Sequence, residues 1–368
     1  MSELSIVNFN FQKMTKRILL SIPVVIGFLI SVNFIQKAPV KLNDIQVIGS
    51  HNSYKIAIEK GILDYLEKMN PAISQSLQYE HIPLSDQLEL GLRNLELDVS
   101  HDPKGGRYAN PKGLEIMKSQ GITPMPYDVE NKLQEPGLKL FHAQDIDFRS
   151  HHLLFKDALS ELLTWSNANP DHTPIFILIN AKDSPIPGML APLPFTASAL
   201  DSIDMEIRSV LPLNKLITPE LVMGESKSLE TAILGKGWPD LDKVKGRFLF
   251  VLDENEIKTN RYLENHPDLT DAVLFVNLSE GNTNAGFMVI NDPIGSFEKI
   301  QDLVAKGYMI RTRADSDTKQ ARTNDYSQFE KAKASGAQVI STDYYYPSQL
   351  FESTYQVSFE KGKFERIK

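Results

Sequence analysis

Two carboxylates and two imidazoles stand out because of where they fall relative to short apolar runs. Glu96 and Asp98 are two residues apart within the run 95–99, and in a β-strand this spacing directs both side chains to the same face. His51 and His142 each directly follow another apolar run. Imidazole changes its protonation state near neutral pH, so both histidines are candidates for general acid and base chemistry on a phosphoester.

The acidic pair has two possible explanations. Two carboxylates that point into a protein are costly to bury unless a cation joins them. The chain contains no Cys, which excludes thiolate metal sites, and carboxylate ligands favour a hard cation such as Ca²⁺ or Mg²⁺. Salt bridges from Glu96 and Asp98 to Arg311 or Arg313 are the alternative to a metal site.

Three basic residues also follow or close apolar runs. Lys182, Arg311 and Arg313 could bind phosphate oxygens, or they could balance the charge of the acidic pair. Ser53 is close to His51, but without a Gly-x-Ser-x-Gly elbow we interpret it as a turn residue and not as a nucleophile.

The other histidines are weaker candidates. His101 opens a Pro- and Gly-containing loop after the run 95–99. The remaining five lie in loop or helix patterns and are expected at the surface: His81, His151, His152, His172 and His266.

The elements that must position these residues repeat along the chain. Eight short, nearly continuous apolar runs indicate strands that are covered on both faces: 45–49, 95–99, 138–141, 175–180, 247–252, 272–277, 308–312 and 338–342. Helical patterns lie between several of them, at 153–166, 199–210, 297–305 and 326–334. This alternation predicts an α/β fold with a parallel (β/α)8 barrel, and a doubly wound open sheet is the alternative.

The ends of the predicted strands are rich in polar residues. Functional side chains of such barrels lie at the carboxyl ends of the strands. Nearly every run ends on, or is followed by, a titratable or chelating residue: His51, Asn52, Glu96, Asp98, His142, Asn180, Lys182, Asp253, Asn277, Arg311, Arg313 and Asp343. Long loops are expected at 103–137 and 183–197, and the stretch 211–245 is expected to cover one end of the barrel.

Composition and the N-terminus restrict the class of protein. Asp and Glu outnumber Lys and Arg by 47 to 39, which gives a net charge of −8 and argues against nucleic-acid binding. Residues 18–35 are uncharged and follow Lys13, Lys16 and Arg17, the pattern of an export signal. We therefore predict an exported protein, periplasmic or extracellular, in which residues 1–40 are a cleaved signal or a retained anchor and residues 41–368 form one catalytic domain.

Several motifs together resemble the bacterial branch of the calcium-dependent phosphoinositide-specific phospholipases C. The segments that resemble the three catalytic motifs of the family are Ile48-Gly49-Ser50-His51-Asn52-Ser53-Tyr54, Leu95-Glu96-Leu97-Asp98 and Leu140-Phe141-His142. The segments that resemble the bacterial branch are Asp102-Pro103 with Gly105-Gly106, 310–315, 321–325 and 335–344. The resemblance extends over about residues 44–346.

This resemblance implies a distorted (β/α)8 TIM barrel with long loops at its C-terminal face. It implies calcium-dependent cleavage of phosphatidylinositol-type lipids at a membrane surface, to diacylglycerol and a cyclic inositol phosphate, with His51 and His142 as the catalytic pair. Asn52, Glu96 and Asp98 become Ca²⁺ ligands, with Mg²⁺ less favoured. Substrate contacts are expected from Lys182, Arg311, Arg313 and Asp343. No obligate protein partner is evident from the sequence.

The sequence departs from the family pattern at one position. Relatives of the eukaryotic type carry a Glu ligand after strand four, where this chain offers Asn180. A glycerophosphodiester phosphodiesterase uses similar residues on a similar barrel, but there Arg-Gly usually follows the first His and here Asn52-Ser53 does. The other alternative is a non-catalytic exported barrel that binds lipid or carbohydrate.

Overall fold

The computed structural model describes residues 38–368, of which Pro39–Lys368 form one compact unit. The apolar segment 18–35, with the export signal or anchor predicted there, lies outside the described residues. Among residues 38–368, no helix has both the length and the apolar character needed to cross a membrane.

Eight parallel strands form a nearly closed barrel. The strands of the structure, in chain order, are β1 (Ile45–Ser50), β2 (Asn94–Ser100), β3 (Lys139–Leu140), β4 (Ile175–Ala181), β5 (Phe248–Leu252), β6 (Leu274–Val276), β7 (Phe287–Val289), β8 (Met309–Arg313), β9 (Val339–Thr342) and β10 (Glu365–Ile367). The strand order of the barrel is β6-β5-β4-β2-β1-β9-β8-β7. A single parallel bridge between Asn277 and Phe287 connects its two ends.

Helices surround this barrel and cover its C-terminal rim. They are α1 (Lys60–Met69), α2 (Pro71–Ser76), α3 (Leu84–Leu90), α4 (Lys112–Ser119), α5 (Phe155–Ala168), α6 (Ala197–Val210), α7 (Pro219–Met223), α8 (Leu229–Gly235), α9 (Leu241–Val244), α10 (Glu256–Leu263), α11 (Phe297–Lys306), α12 (Lys319–Thr323) and α13 (Ser327–Ser335). The helices cover the outer face of the barrel strands, which explains why these strands are apolar. Strands β4 and β5, for example, are buried over almost their whole length and are almost purely apolar. The predicted (β/α)8 barrel is confirmed.

One predicted barrel strand is wrong and one was missed. The run 138–141 contributes only the two-residue strand β3, which pairs antiparallel with the end of β2 outside the barrel. Leu138 and Leu140 are nevertheless buried in the main core of the protein, and a run of apolar residues alone does not distinguish such a segment from a strand of the barrel. The strand absent from the prediction is β7, whose three residues are too few for a visible pattern.

A small apolar cluster lies apart from the barrel core and supports the loops of the rim. Ile58 and Ile62 at α1, Met117 of α4, and Ile146 and Phe148 after β3 are buried together. The segments 101–137 and 141–154 are thus anchored by a core of their own. At the opposite end of the barrel, β10 pairs antiparallel with the start of β1.

Candidate active site

The first histidine lies on a tight turn at the carboxyl end of β1. Gly49 precedes it where β1 meets β2, and a Cβ at this position would lie 1.8 Å from the carbonyl oxygen of Asn94, so only glycine fits. Asn52 adopts a left-handed backbone conformation with φ of 49°. Ser53 fastens the turn to β2, because its hydroxyl accepts a 2.8 Å hydrogen bond from the backbone N–H of Glu96. This contact gives Ser53 a structural place in the turn.

His51 lies between a carboxylate and a guanidinium. Its Nδ1 is 2.9 Å from Oδ1 of Asp343, and its Nε2 is 3.6 Å from Oε1 of Glu96. The terminal nitrogens of Arg313 are 3.3 and 3.4 Å from the two ring nitrogens. Burial, and then the positive charge of Arg313, lower the pKa of His51 well below 6.5. The ring is therefore neutral at pH 7, with Nδ1–H directed to Asp343 and a lone pair on Nε2.

The acidic pair on β2 is balanced by two cations from different strands. Glu96 accepts a 2.6 Å hydrogen bond from Nη2 of Arg311, and Oδ2 of Asp98 is 2.9 Å from Nζ of Lys182. Asn180 of β4 is the register partner of Asp98, so its side chain is on the same face of the sheet. A metal site and salt bridges are thus not mutually exclusive explanations of Glu96 and Asp98, because the salt bridge to Arg311 leaves other oxygen atoms of the pair available to a cation.

The donor chemistry around Asp98 suits a hard cation. Oδ1 of Asn52 and Oδ1 of Asp98 are buried and have no hydrogen-bond partner, a costly arrangement unless a cation completes it, while Oδ2 of Asp98 has the ion pair with Lys182. Nδ2 of Asn52 is 2.6 Å from the hydroxyl of Tyr79, which leaves Oδ1 as its free end. Within residues 38–368 no three His, Asp or Glu side chains group around a metal position. A cation here would be held by Asn52, Glu96 and Asp98, with the amide oxygen of Asn180 on the same face.

The second histidine lies on the loop after β3. Nδ1 of His142 is 2.8 Å from Oδ2 of Asp147, and the other carboxylate oxygen of Asp147 is 3.0 Å from Nζ of Lys55. Burial tends to raise the pKa of Asp147, but the charge of Lys55 and the hydrogen bond with His142 outweigh it and lower that pKa. His142 is the more exposed of the two imidazoles, with 25% of its side chain accessible against 18% for His51. Its Nε2 is therefore the atom available to a ligand.

The predicted substrate contacts occupy different environments. Arg311 is fully buried and is held by Glu96, Ser341 and Asn291, so its guanidinium is already used. Arg313 is also bonded, to Asp343 and to the carbonyl of Asp315, but 15% of its side chain is exposed.

Asp343 contacts the ring of His51 and not a free surface. Lys182 keeps 32% of its side chain exposed, which makes it the most accessible cation of the group.

Sequence reasoning missed several residues of this site. Lys55 and Asp147 had no visible signal beyond lying near motif residues. Tyr79 lies far from Asn52 in the sequence. Asp253 was named only as a strand-end residue; its carboxyl is 3.8 Å from Arg311, and burial raises its pKa to about 7. His81, expected at the surface, is instead buried, and its Nε2 lies 2.7 Å from the carbonyl oxygen of His51.

His172 is buried as well, which again contradicts the expected surface position. Its imidazole lies 2.8 Å from the hydroxyl of Ser166 on α5, so a hydrogen bond satisfies it inside the protein. Loop position in the sequence was a poor guide for both histidines, because other segments fold over them.

Comparison with known proteins agrees with the fold and identifies a family. Residues 40–368 match the family described as Phosphoinositide phospholipase C, Ca²⁺-dependent. Comparison with curated proteins gives no match.

Solved structures with the same fold come from two bacterial sources. The calcium-dependent phosphoinositol-specific phospholipase C of Pseudomonas sp, in its myoinositol complex, has a TM-score of 0.53 and 15% identity over 89% of this chain and 95% of that one. The Ca²⁺-dependent phosphatidylinositol-specific phospholipase C of Streptomyces antibioticus has a TM-score of 0.52 and 15% identity, over 87% of this chain and 100% of that one.

Proposed function

The chain belongs to the Ca²⁺-dependent phosphoinositide phospholipase C family and is a phosphoric diester hydrolase, and from this premise we propose that it cleaves phosphatidylinositol-type lipids. The products are diacylglycerol and a cyclic inositol phosphate, which water opens in a second step. One observation carries this proposal. Each of two imidazoles has its Nδ1 held by a carboxylate, and Nε2 of the first lies 3.6 Å from Glu96 of the acidic pair.

His51 is the general base of the first step. Its neutral ring has a lone pair on Nε2, because Asp343 accepts the hydrogen bond from Nδ1, and Nη1 of Arg313 lies 3.4 Å from this Nε2. The inositol hydroxyl beside the phosphate gives its proton to this nitrogen while its oxygen forms a bond to phosphorus.

His142 is the general acid of the same step. Asp147 accepts from Nδ1, so Nε2 delivers the proton to the diacylglycerol oxygen as its bond to phosphorus breaks. In this step His51 takes one proton from the inositol hydroxyl, and His142 gives one proton to the diacylglycerol oxygen. In the second step the roles reverse, because His142 then takes a proton from the attacking water.

Ca²⁺ is the cofactor of the family, and Asn52, Glu96 and Asp98 are the residues that would hold it here, with Asn180 beside them. When bound, the ion offsets negative charge on the phosphoryl oxygens and lowers the pKa of the attacking hydroxyl. The unpartnered Oδ1 atoms of Asn52 and Asp98 support this assignment. Lys182, bound to Asp98 and half-exposed, is a further cation for the headgroup.

The rim loops on the His142 side are the surface that contacts the lipid. Met125 and Val129 are 52% and 77% exposed, and Leu190 is also exposed. Leu190 packs on the His142 loop, since its backbone N–H donates to Asp145 over 2.6 Å. Exposed apolar side chains around the mouth allow the enzyme to take its substrate from a membrane surface.

Vesicle sedimentation tests this surface. Val129→Asp and Leu190→Asp should weaken binding to phosphatidylinositol vesicles, because charge replaces apolar contact. The control is Ile367→Asp at the opposite end of the barrel, where an apolar residue that is 61% exposed should be dispensable. Equal binding by all variants would exclude the rim as the lipid contact.

The N-terminal segment gives the remaining part of the proposal. Residues 1–40 direct export and residues 41–368 act outside the cytoplasm. N-terminal sequencing of the exported protein decides between cleavage and a retained anchor, and a protein found only in the cytoplasm would contradict export.

Product analysis tests the activity itself. The enzyme is incubated with phosphatidylinositol or glycerophosphocholine, with Ca²⁺ or with a chelator. Cyclic inositol phosphate formed only from the first substrate and only with Ca²⁺ is the expected result. Glycerol phosphate from glycerophosphocholine would instead identify a glycerophosphodiester phosphodiesterase.

A further inference from the structure

We propose that Lys55 is a positioning residue that acts through Asp147 on His142 and sets the pH at which this histidine can release its proton. The proposal rests on the role of His142 in the proposed function. It joins the residue that directly follows the first motif segment to the histidine of the third through one buried carboxylate.

The contacts that carry the proposal are continuous. Nζ of Lys55 is 3.0 Å from Oδ1 of Asp147, and Oδ2 of Asp147 is 2.8 Å from Nδ1 of His142. The side chains of Lys55 and Asp147 are both 0% exposed. A lysine is almost never fully buried without a reason, since its charge must be removed from water.

The backbone fixes Lys55 in this position. Its N–H donates to the carbonyl of Asn52 over 2.9 Å, and its carbonyl accepts from the N–H of His81 over 2.9 Å. Its Nζ also lies 4.8 Å from the centre of the Tyr79 ring. The ammonium is therefore directed at Asp147 by the same turn that presents His51 and Asn52.

Net charge explains what the lysine does. With Lys55 present, the group of three is neutral once His142 and Asp147 have released the proton they share. Without Lys55 the same release would leave a single buried negative charge, which burial strongly disfavours. Lys55 therefore lowers the pH at which the pair gives up its proton, as a general acid requires.

Other titratable groups near the pair do not replace this effect. Tyr54 and Tyr79 face Asp147 from the β1 turn and from the segment after α2, and burial keeps the pKa of both phenols well above 10, so they stay neutral. His51 faces His142 across the mouth and is itself neutral at pH 7. Among these neighbours Lys55 is the permanent charge.

A titration that needs no turnover tests the link directly. Histidine is labelled with ¹³C at the ε1 position, and the His142 signal, assigned by its loss in His142→Gln, is followed against pH. In Lys55→Met the shared proton should be lost about 1–3 pH units higher than in the unmodified protein. An unchanged midpoint in folded Lys55→Met overturns the proposal.

A second variant covers the case in which Lys55→Met fails to fold. Asp147→Asn removes the carboxylate between His142 and Lys55 and leaves the ammonium of Lys55 without its counter-charge, so the His142 titration should move to lower pH. No movement in Asp147→Asn overturns the proposal as well.

The matched control is Lys139→Met. Lys139 is also fully buried and its Nζ is 3.5 Å from a buried carboxylate, that of Asp102, but it has no contact with His142. This variant should lose stability and leave the His142 titration in place. If Lys139→Met moves it as much as Lys55→Met does, the effect is general destabilisation and the proposal fails.

The pH–rate profile separates this proposal from the proposed function. Its alkaline limb should move to higher pH in Lys55→Met, in step with the titration. A titration that shifts in a protein unable to cleave phosphatidylinositol would support the role of Lys55 and remove the proposed function alone.

Discussion

The two histidines make the same contact and differ in what lies behind it. Each Nδ1 meets a buried aspartate, Asp343 for His51 and Asp147 for His142. Burial raises the pKa of Asp343, which shares its pocket with Asp315, whereas Lys55 helps to lower the pKa of Asp147.

In the proposed mechanism, the third group and not the aspartate sets the task of each histidine. Arg313 lies against the ring of His51 and opposes its protonation. Near His142 the cation is Lys55, which contacts Asp147 on the side away from the imidazole. A cation that touches the ring favours a base, and a cation that touches only the carboxylate leaves the ring free to carry a proton and return it.

Removing either imidazole should have the largest effect. His51→Ala and His142→Ala are each expected to lower kcat roughly 10²–10⁴-fold on phosphatidylinositol with the fold intact, because each removes one proton transfer. Steady-state kinetics and circular dichroism check this. Near-normal turnover in either variant would break the comparison.

A substrate with a better leaving group sharpens the same comparison. On an inositol phosphodiester of nitrophenol, which needs no protonation to leave, His142→Ala should recover most of its rate and His51→Ala should not. Equal recovery in both variants would mean that the acid and base roles are assigned incorrectly.

The acidic pair between the histidines should control calcium. Its two carboxylates favour weak binding, with a Kd roughly in the 10⁻⁴–10⁻³ M range of extracellular sites. Glu96→Gln should nearly abolish binding, and Asn180→Glu should tighten it because a third carboxylate faces the ion. Calorimetric titration of the proteins measures both.

The control for this titration is Asp183→Asn. Oδ1 of Asp183 is 2.8 Å from Nζ of Lys258, and its carboxylate also accepts a hydrogen bond from the backbone of Phe195, so it is committed elsewhere and its loss should leave calcium affinity unchanged. Activity that persists in a chelator would remove the calcium assignment.

The two arginines of β8 should separate into a structural and a binding role. Arg311→Ala leaves Glu96 buried without its partner and should cost about 3–5 kcal/mol of stability. Arg313→Ala should raise KM roughly tenfold, more than it lowers kcat, because a phosphate contact of ordinary strength is lost. Thermal unfolding and saturation kinetics on both variants distinguish the roles, and equal losses without a change in saturation would make both arginines structural.

The last prediction concerns His81, which supports the backbone of His51. Burial lowers the pKa of His81 from 6.5 to about 4, so the folded protein prefers its neutral form. Stability should therefore fall as pH drops from about 6.5 towards 4, by up to about 3 kcal/mol from this group, because only the unfolded chain binds the proton easily.

His81→Gln tests this dependence, since the amide can still donate to the carbonyl of His51. Unfolding midpoints measured from pH 7 to pH 4 should fall less steeply in this variant than in the unmodified protein. His266→Gln, remote from the site, is the control and should keep the original slope. A slope unchanged in His81→Gln would assign the acid sensitivity to other groups.

Much of the barrel could be read from the sequence because strands covered on both faces must be apolar. The runs around β4 and β5 show this clearly, and the polar residues that end them mark the rim. The strand β7 was not predicted, because three residues are too few to show a periodic pattern. The run 138–141 was misassigned because Leu138 and Leu140 are buried in the main core although their strand lies outside the barrel, so the run is as apolar as a barrel strand.

The residues of the candidate site also divide into those that the sequence singled out and those that it misplaced. His51, Glu96, Asp98 and His142 could be found because their chemistry is local, a residue type at a strand end. His81 was misplaced because its burial depends on Tyr345, which stacks on it from the far end of the chain. No local pattern could report that contact.

The sequence by itself determined the barrel, the family and the residues at the mouth, because strand-length apolar runs and short motifs are local properties. The tertiary structure alone decided what each charge does. It paired Glu96 with Arg311, and it set Lys55 behind Asp147. Protonation and metal affinity depend on charges within a few ångströms, and in a barrel those neighbours come from strands that are distant in sequence.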